Sequence, residues 1–460
     1  MKLFLKTILI AVFFLGVISG TQANISVPAI FSGNMVLQQK SDVKIWGWAK
    51  AGEPVSLKAG WLDKELQTKA DNQGTWSLTL QTPAAGGPYS VSLKGYNELV
   101  FENVLIGEVW LCSGQSNMEW SANAGLVNKD EEIANANYPE IRFFSVGYST
   151  ATCPQNYLTG EWTACSPETM RNFSAIAYFF ARRLQEVLHV PVGLVNSSWG
   201  GTPAEAWMPE KAIDSDEFLK KAAALQKPVP WGPVETARIY NSMIAPIVPF
   251  QLAGALWYQG EANTVNAYAY KELLTALIGS WRQDWGKDFP FYFAQIAPYR
   301  YGDNFDGVTV RDEQRQALDV DNTGMVILSD IGDTLDIHPK NKQDVGLRFA
   351  NMALNRHYKA IKVEDSGPLF QSVSYVKNKA IVSFSHAEGL HSTGKSISCF
   401  EVAGADGVFY AADAKVEGGT VILKSKKVDE PVAVRFAWRN TATPNLFNGA
   451  NLPASCFKTE

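Results

Sequence analysis

The sequence predicts an α/β protein whose central domain is flanked by two all-β regions. In the middle of the chain, wholly apolar runs alternate with stretches of helical spacing, which is typical of a parallel sheet covered by helices. On either side, short runs alternate apolar and polar residues between turns rich in Gly, Asp, Asn and Pro, which is typical of strands with one exposed face. The length of 460 residues suits two or three domains of about 150 residues each.

The first 23 residues predict a secretory signal peptide. Lys2 and Lys6 supply a basic start, residues 7–20 are apolar and uncharged, and residues 21–23 (TQA) are suited to cleavage by a signal peptidase. The apolar run is short for a membrane span, which needs about 20 residues, and no later segment is apolar enough to cross a bilayer. We therefore expect a secreted or periplasmic protein without a membrane span.

The composition excludes several classes of protein. With 41 Lys and Arg against 46 Asp and Glu, the net charge of −5 argues against nucleic-acid binding. Five histidines and five cysteines are too few for a zinc-finger array or a cysteine-rich scaffold. Export permits disulfides, and Cys153 and Cys165 are close enough in sequence to pair, although free thiols fit equally well.

Residues 24–103 predict a small N-terminal β-sandwich domain. Its alternating runs are VKIWGWA (43–49), PVSLKAG (54–60), TWSLTL (75–80) and YSVSLKG (89–95). Residues 359–460 return to the same character, for example in TVILKS and PVAVRFAWR. Because no low-complexity linker precedes it, this C-terminal β region is expected to pack on the core or on the N-terminal domain.

Residues 104–358 predict the central α/β domain. Its strand-like runs lack alternation, as expected for strands buried on both faces. They are LIGEVWLC (105–112), VPVGLVNSS (190–198), QLAGALWY (251–258), FPFYFAQI (289–296) and GMVILSD (324–330). Helical spacing lies between them, over residues 176–188, 268–285 and 341–356. Ligands of such sheets bind at the carboxyl ends of the strands, so the loops that follow them are the candidate site.

Ser116 is the candidate nucleophile, in the loop after the first central strand. A turn with Gly114 would expose its Oγ, and a helix starting there would supply N–H groups that favour negative charge. An ordinary N-cap serine fits the same residues. The hydrolase pattern G-x-S-x-G is incomplete, because Met118 occupies its last position.

The next two loops carry candidate oxyanion donors. Gly200 and Gly201 follow the second strand, where backbone amides can approach a ligand closely. Gln259 and Asn263 follow the third strand, and their side-chain amides can also stabilise an oxyanion. A tight turn, a loop-bracing hydrogen bond or a helix cap would explain the same residues.

His338 is the candidate base, because it alone among the histidines lies in a polar loop after a central strand. The others lie at helix ends or in the C-terminal region: His189, His357, His386 and His391. An activated serine needs a base, and the base needs an orienting group. Asp336 and Asp333 are the local candidates for that group.

Four ordered segments resemble the sialate O-acetylesterase family within the SGNH-type hydrolases. They are GQSNM (114–118), SSWGGTP (197–203), WYQGEAN (257–263) and DIGDTLDIHP (330–339). The resemblance extends to GNMVLQ (33–38), YNSMIAPIVPF (240–250) and NLFNGANLPAS (445–455), and so covers nearly the whole mature chain.

The resemblance implies a flavodoxin-like three-layer α/β/α core and a Ser–His carbohydrate esterase with no metal or other cofactor. It implies Ser116 as nucleophile and His338 as base. The oxyanion donors would be the Ser116 amide, Gly201 with Gly200, and a residue of the third segment. The expected partner is an acetylated carbohydrate, with no nucleic acid.

Two departures from the family pattern leave roles open. Leu335 stands where an Asp is expected three residues before the histidine. The orienting group is therefore Asp336, Asp333 or a backbone carbonyl. In the third segment the Asn is displaced by one residue, which leaves Gln259 against Asn263 open, with Gln259 favoured.

We therefore expect a secreted serine esterase that removes O-acetyl groups from sugars, first of all from sialic acids. Aromatic side chains beside the active loops could stack on a sugar or only fill the core: Trp199, Trp207 and Tyr258. An acetyl esterase for xylan or xyloglucan is the alternative. From other classes, a glycosidase using Glu119, Glu205 or Glu261 as paired carboxylates and a non-catalytic carbohydrate-binding protein also fit.

Overall fold

The computed structural model describes residues 24–459. The predicted signal peptide falls on residues 1–23 and so lies outside the described residues. Across residues 24–459, no helix is both long and apolar enough to cross a membrane. The described chain is a mixed α/β structure with one large mixed sheet and additional all-β regions.

Between residues 24 and 97, the described chain forms six short strands. They are β1 (Val36–Gln38), β2 (Asp42–Trp48), β3 (Pro54–Ala59), β4 (Leu66–Lys69), β5 (Thr75–Gln81) and β6 (Gly86–Lys94). β2 and β5 form a separate antiparallel pair, whereas β3, β4 and β6 belong to the large sheet. The burial of β2 alternates along the strand, which matches the alternating sequence.

β7 (Glu98–Gly114) joins this region to the central sheet. Its first half pairs with β6 and its second half lies between two central strands. The predicted boundary at residues 103 and 104 therefore falls inside one continuous strand. What changes at Val104 is burial, which alternates before that residue and is continuous after it.

The central strands run parallel over most of the sheet. They are β8 (Tyr138–Ser145), β9 (Trp162–Cys165), β10 (Val192–Ser198), β11 (Gly254–Tyr258), β12 (Phe291–Ala294) and β13 (Thr323–Val326). The strand order is β13-β12-β11-β7-β10-β8-β9, and β9 at the edge is antiparallel. Because β7 lies between β10 and β11, the loops after these three strands leave the sheet side by side.

Helices separate the central strands. They are α1 (Ser116–Glu119), α2 (Lys129–Ala134), α3 (Pro167–Met170), α4 (Ala175–Leu188), α5 (Glu210–Asp214), α6 (Glu217–Ala223), α7 (Tyr270–Trp285), α8 (Asp306–Gln316) and α9 (Lys342–Met352). The 3₁₀ and π segments are Ala204–Trp207, Tyr240–Ile244, Ala245–Ile247, Glu261–Ala269, Ala317–Asp319 and Ala353–His357. Trp110, Trp257 and Trp281 are fully buried in the core, so much of the high tryptophan content serves packing.

The C-terminal region is all-β and packs on the central region. Its strands are β14 (Leu369–Val376), β15 (Lys379–Ser385), β16 (His391–Ser392), β17 (Phe400–Ala403), β18 (Phe409–Ala411), β19 (Asp413–Glu417), β20 (Thr420–Lys424), β21 (Ala433–Phe436), β22 (Leu446–Phe447) and β23 (Phe457–Lys458). Val308 of α8 is part of its hydrophobic cluster. Gln295 Nε2 donates to Ser455 Oγ at 2.7 Å across the contact. All five cysteines of the chain are free, including Cys153 and Cys165.

Candidate active site

Ser116 is the first residue of α1, directly after the turn that ends β7. Gly114 makes this turn possible, because its φ is +134° and a Cβ there would lie 2.2 Å from the backbone oxygen of Tyr258. No side chain larger than hydrogen fits that approach. The Ser116 N–H has no hydrogen-bond acceptor among the described residues. The local sequence therefore presents both Oγ and a free amide at one point.

His338 meets Ser116 across 222 positions of sequence, with its Nε2 at 2.9 Å from Ser116 Oγ. The imidazole lies flat on the indole of Trp120, with ring centroids 4.2 Å apart and planes 18° from parallel. This stacking fixes the plane of the ring. The serine and histidine singled out from the sequence are thus brought together in the geometry that nucleophile activation needs.

The acidic residues of this loop hold the backbone rather than the imidazole. Asp336 Oδ1 accepts the backbone N–H of His338 at 2.9 Å but lies 3.7 Å from its Nδ1, beyond hydrogen-bond reach. Asp333 Oδ1 accepts the backbone N–H groups of Leu335 and Asp336. The geometry thus gives Asp336 an electrostatic influence on the ring and no orienting hydrogen bond.

The surroundings of His338 favour its neutral form. Burial is the largest cause and lowers the pKa of His338 below its usual value, and the nearby Lys342 lowers it further. Asp336 acts in the opposite direction. A neutral imidazole is the form that can accept a proton from Ser116, so the site is suited to general-base chemistry near neutral pH.

The glycine turn after β10 faces the same serine. Gly200 donates its N–H to Glu119 Oε2 at 2.7 Å, and a Cβ on Gly200 would lie 3.3 Å from the Cβ of Ser116. Gly201 has a φ of +72°, and a Cβ there would lie 2.1 Å from the indole of Trp231. The Gly201 N–H has no acceptor in the part of the chain that the structure describes. It is therefore available to a ligand.

These residues line a cavity of about 530 Å³. Its walls are Gln115, Ser116, Glu119, Tyr148, Trp199, Gly200, Gly201, Trp231, Ile337 and His338. Tyr148 and Trp199 stack face to face, with centroids 4.3 Å apart and planes 6° from parallel. Trp199 Nε1 donates to the backbone oxygen of Trp231, whose side chain is 63% exposed. Flat aromatic walls of this kind suit the apolar faces of a sugar.

Comparison with known proteins identifies the family. Residues 106–355 match the family model described as carbohydrate esterase, sialic acid-specific acetylesterase. The chain belongs to this family. It is 28% identical to human sialate O-acetylesterase over 81% of this chain and 78% of that protein, and 28% identical to the rat protein over 80% of each. A solved carbohydrate acetylesterase from Xanthomonas citri has a TM-score of 0.87 and 35% identity, covering 95% of this chain and 99% of that one.

The protein is therefore a carboxylic ester hydrolase, and the resemblance to sialate O-acetylesterases inferred from its motifs is confirmed. Some of the site residues that the sequence suggested do not line the cavity of this esterase. Among residues 24–459, no group of three or more His, Cys, Asp or Glu side chains could hold a metal ion.

Gln259 and Asn263 were predicted as oxyanion donors, but their side-chain amides donate hydrogen bonds to buried acceptors instead. Gln259 is fully buried, and its Nε2 donates to Asn263 Oδ1 at 2.7 Å and Gln115 Oε1 at 3.1 Å. Asn263 Nδ2 donates to Glu205 Oε2 at 2.9 Å and Asn266 Oδ1 at 3.0 Å. Neither side chain lines the cavity. The arrangement gives both a bracing role.

Gln115 is an amide that the sequence analysis missed. Its Oε1 accepts three N–H groups, from Gln259 Nε2, Gly260 and Ala262, at 3.1, 3.4 and 3.1 Å. These three donors fix the orientation of the amide. The Gln115 NH₂ group is left without an acceptor among the described residues, on a side chain that lines the cavity. Its position next to Ser116 in GQSNM was the available signal.

Of the three aromatic residues that were predicted beside the site, only one lines the cavity. Trp199 lines the cavity, whereas Trp207 and Tyr258 are fully buried and do not. Trp207 packs edge-on against Trp257 and donates its Nε1 to Thr202 Oγ1 at 2.9 Å. Stacking on a sugar is therefore open to Trp199 and not to the other two.

The carboxylates do not form the pair that a glycosidase needs. Glu119 alone of the three candidates lines the cavity. Glu205 is fully buried and accepts from Asn263 and Asn266, and Glu261 is buried beside Asn117. Paired carboxylates on either side of a glycosidic bond are required for that chemistry, so this alternative loses its structural basis.

We expect Trp231→Ala to raise KM for a sugar acetate about 3–10-fold with little change in kcat, because an exposed wall ring contributes binding that is equal in ground and transition states. The main-chain oxygen that receives Trp199 Nε1 stays in place. Steady-state kinetics of acetate release measure both constants. Tyr96→Ala removes another exposed ring, outside the cavity, and should change neither constant. A fall in kcat with unchanged KM would contradict the assignment of Trp231 to binding.

Proposed function

We propose that the protein removes O-acetyl groups from sugars, with sialic acids as the first substrate class, and that Ser116 is its nucleophile and His338 its general base. The observation that carries this proposal is the 2.9 Å contact between Ser116 Oγ and His338 Nε2 inside an aromatic-walled cavity. The sialate O-acetylesterases that resemble the chain support the substrate class.

In the acylation step, Nε2 of His338 takes the proton of Ser116 Oγ as this oxygen attacks the acetyl carbonyl carbon. The carbonyl π electrons move to oxygen and form a tetrahedral oxyanion. The N–H groups of Ser116 and Gly201 and the NH₂ of Gln115 are the free donors at this point, and oxyanion donors are worth about 3–4 kcal/mol each. Collapse breaks the bond to the sugar oxygen, which takes the proton from His338.

Deacylation repeats the sequence with water. His338 takes a proton from water, whose oxygen attacks the acetyl-serine carbonyl, and the bond to Ser116 Oγ then breaks. The proton returns to Ser116 and acetate leaves. Asp336 acts on the imidazole of His338 by its charge and makes no hydrogen bond to the ring, so the proposed machinery is a Ser–His dyad with electrostatic assistance. In this dyad, neither Asp336 nor Asp333 orients the imidazole by a hydrogen bond.

We also infer that the central region is the flavodoxin-like three-layer core of an SGNH-type hydrolase. The parallel strand order and the functional loops at the carboxyl ends of β7, β10 and β11 support this inference. The basic and apolar composition of residues 1–23 supports the further proposal that the protein is exported.

A second substrate class is favoured by the charge of the cavity wall. Among the described residues, the wall carries the carboxylate of Glu119 and no Lys or Arg. A sialic acid brings its own carboxylate, which such a wall repels, whereas the acetylated units of xylan or xyloglucan can be neutral. Acetyl esters of neutral glycans are therefore the second candidate.

Acetate release from a panel of acetylated sialic acids and acetylated neutral glycans tests both candidates, with heat-denatured enzyme as background. Glu119→Gln sharpens the comparison, since it removes the wall charge while keeping an oxygen acceptor. We expect the ratio of kcat/KM for a sialate ester to that for a neutral ester to rise about 3–10-fold, as expected for about 1 kcal/mol of screened repulsion. An unchanged ratio would show that Glu119 plays no part in the selection. Acetate release from no member of the panel would contradict the proposed function.

A further inference from the structure

A buried polar network lies behind the Ser116–His338 pair. Lys342, the first residue of α9, is fully buried, and its Nζ donates to Asn117 Oδ1. Asn117 Nδ2 donates to Glu261 Oε1 at 2.6 Å and to the backbone oxygen of Ile337 at 3.0 Å. A buried ammonium is costly unless it is paired and hydrogen-bonded, so its presence here calls for a specific role.

Resting on the proposed function, we propose that Lys342 is a positioning residue for the Ser116–His338 pair, joining the loops of both and setting a positive charge behind the imidazole. Asn117 is the neighbour of Ser116, and Ile337 is the neighbour of His338. One side-chain amide therefore bridges the two loops across 220 positions of sequence. By occupying Oδ1, Lys342 fixes the orientation in which Nδ2 faces Ile337 and Glu261.

Aromatic contacts connect the ammonium to the imidazole. Lys342 Nζ lies 5.7 Å from the ring centroid of Trp120 and 5.8 Å from that of Tyr258. Trp120 is the ring on which His338 stacks. Cation–π attraction at these distances holds the indole in place. The same lysine thus supports both the backbone beside His338 and the surface on which its ring lies.

The charged groups around the site act in opposite directions. Burial and, after it, Lys342 lower the pKa of His338, Asp336 raises it, and Glu119 lines the same cavity. Burial lowers the pKa of Lys342 to about 7, against the opposing carboxylates of Glu261 and Asp336. Burial raises the pKa of Glu261, against its hydrogen bond from Asn117 and the charge of Lys342. Lys342 is therefore protonated in the acid range where His338 titrates.

The sign of the expected effect follows from this arrangement. The proposed mechanism needs neutral His338, so kcat/KM falls as the pH drops through the pKa of this residue in the free enzyme. A cation close behind the ring lowers that pKa and extends activity toward lower pH. Removal of the cation should move the acid limb of the profile to higher pH, which a merely structural lysine would not do.

Lys342→Met tests the proposal, because methionine keeps an apolar stem and removes the charge. We expect the acid limb of the kcat/KM profile to shift to higher pH by roughly 0.5–1 pH unit. We also expect kcat to fall about 10-fold, because the bridge through Asn117 loosens. Lys340→Met is the matched control. It removes the same charge two residues earlier, from an exposed side chain, and should leave the acid limb in place.

A charge-balanced variant guards against loss of folding, since Lys342→Met alone leaves Glu261 buried without its counter-charge. Lys342→Met combined with Glu261→Gln removes both charges and should show the same upward shift. Circular dichroism and thermal unfolding verify that each variant is folded. An unmoved acid limb in a folded variant that lacks Lys342 overturns the proposal while the esterase assignment stands. If wild type and Lys340→Met release no acetate, the proposed function and this inference both fall.

Discussion

Ser116→Ala should lower kcat for acetate release by about 10⁴–10⁶-fold, the loss seen when a serine nucleophile is removed from a hydrolase. Without Oγ, His338 has no oxygen to activate and no acetyl-enzyme can form. The Ser116 side chain is only half-buried, and among residues 24–459 its one hydrogen bond is with His338. The free energy of unfolding, measured by thermal unfolding, should therefore change by no more than about 0.5 kcal/mol, as for other substitutions outside the core.

Ser113→Ala is the matched control for this experiment. Ser113 is fully buried in β7, three residues before Ser116, and its Oγ has no hydrogen-bond partner among the described residues. Loss of that hydroxyl should leave activity unchanged and stability equal or slightly higher, since an unsatisfied buried hydroxyl is a cost. Normal turnover by Ser116→Ala, or an equal loss in Ser113→Ala, would remove the basis for naming Ser116 as nucleophile.

The layout of the fold could be predicted because burial leaves a direct trace in sequence. Continuous apolar runs identified five of the seven central strands and missed β8 and β9. Parallel strands place their following loops at one edge of the sheet. The predicted domain boundary at residue 104 does not coincide with the end of a strand. The change of pattern at Val104 reports the burial of a strand on both faces, and the same strand carries on through it. The change in composition therefore marks a change in the burial of one strand, and it does not mark a linker between domains.

The candidate site was only partly predictable, because sequence shows which groups are near in the chain and not which way they face. Elimination among five histidines reached His338, which does contact Ser116. Gln259 and Gln115 are both amides in active loops, yet hydrogen bonds turn one inward and leave the other facing the cavity. Lys342 begins an ordinary-looking helix, and its burial depends on partners from distant loops.

Trp231 shows the opposite difficulty. It lies in a stretch that belongs to none of the four motifs, so nothing in its local sequence marks it. It reaches the site because the Gly201 turn leaves room for its indole, where a Cβ would lie 2.1 Å from the ring. Trp207, although it lies close to a motif, is fully buried in the core. Proximity in sequence to a catalytic loop therefore does not show which tryptophan lines the cavity.

Gln115→Glu should lower kcat by about 10²–10³-fold, the loss expected when one oxyanion donor is removed. The substitution keeps the shape of the side chain and the oxygen that accepts from Gln259, Gly260 and Ala262. It replaces the NH₂ that faces the cavity with an oxygen, which cannot donate to the oxyanion when ionised and also repels it. KM should change much less than kcat, because the oxyanion exists only along the reaction path.

Gln259→Met separates this role from bracing, because it removes an amide of the same hydrogen-bond network that does not line the cavity. Its loss leaves buried partners such as Gln115 Oε1 with one donor fewer, so the free energy of unfolding should fall by about 1–3 kcal/mol. The folded enzyme should retain most of its kcat. If Gln259→Met instead loses kcat about 10²-fold and Gln115→Glu does not, the oxyanion donor is the one that the sequence favoured. In that case the Gln259 amide must turn toward the cavity when substrate binds.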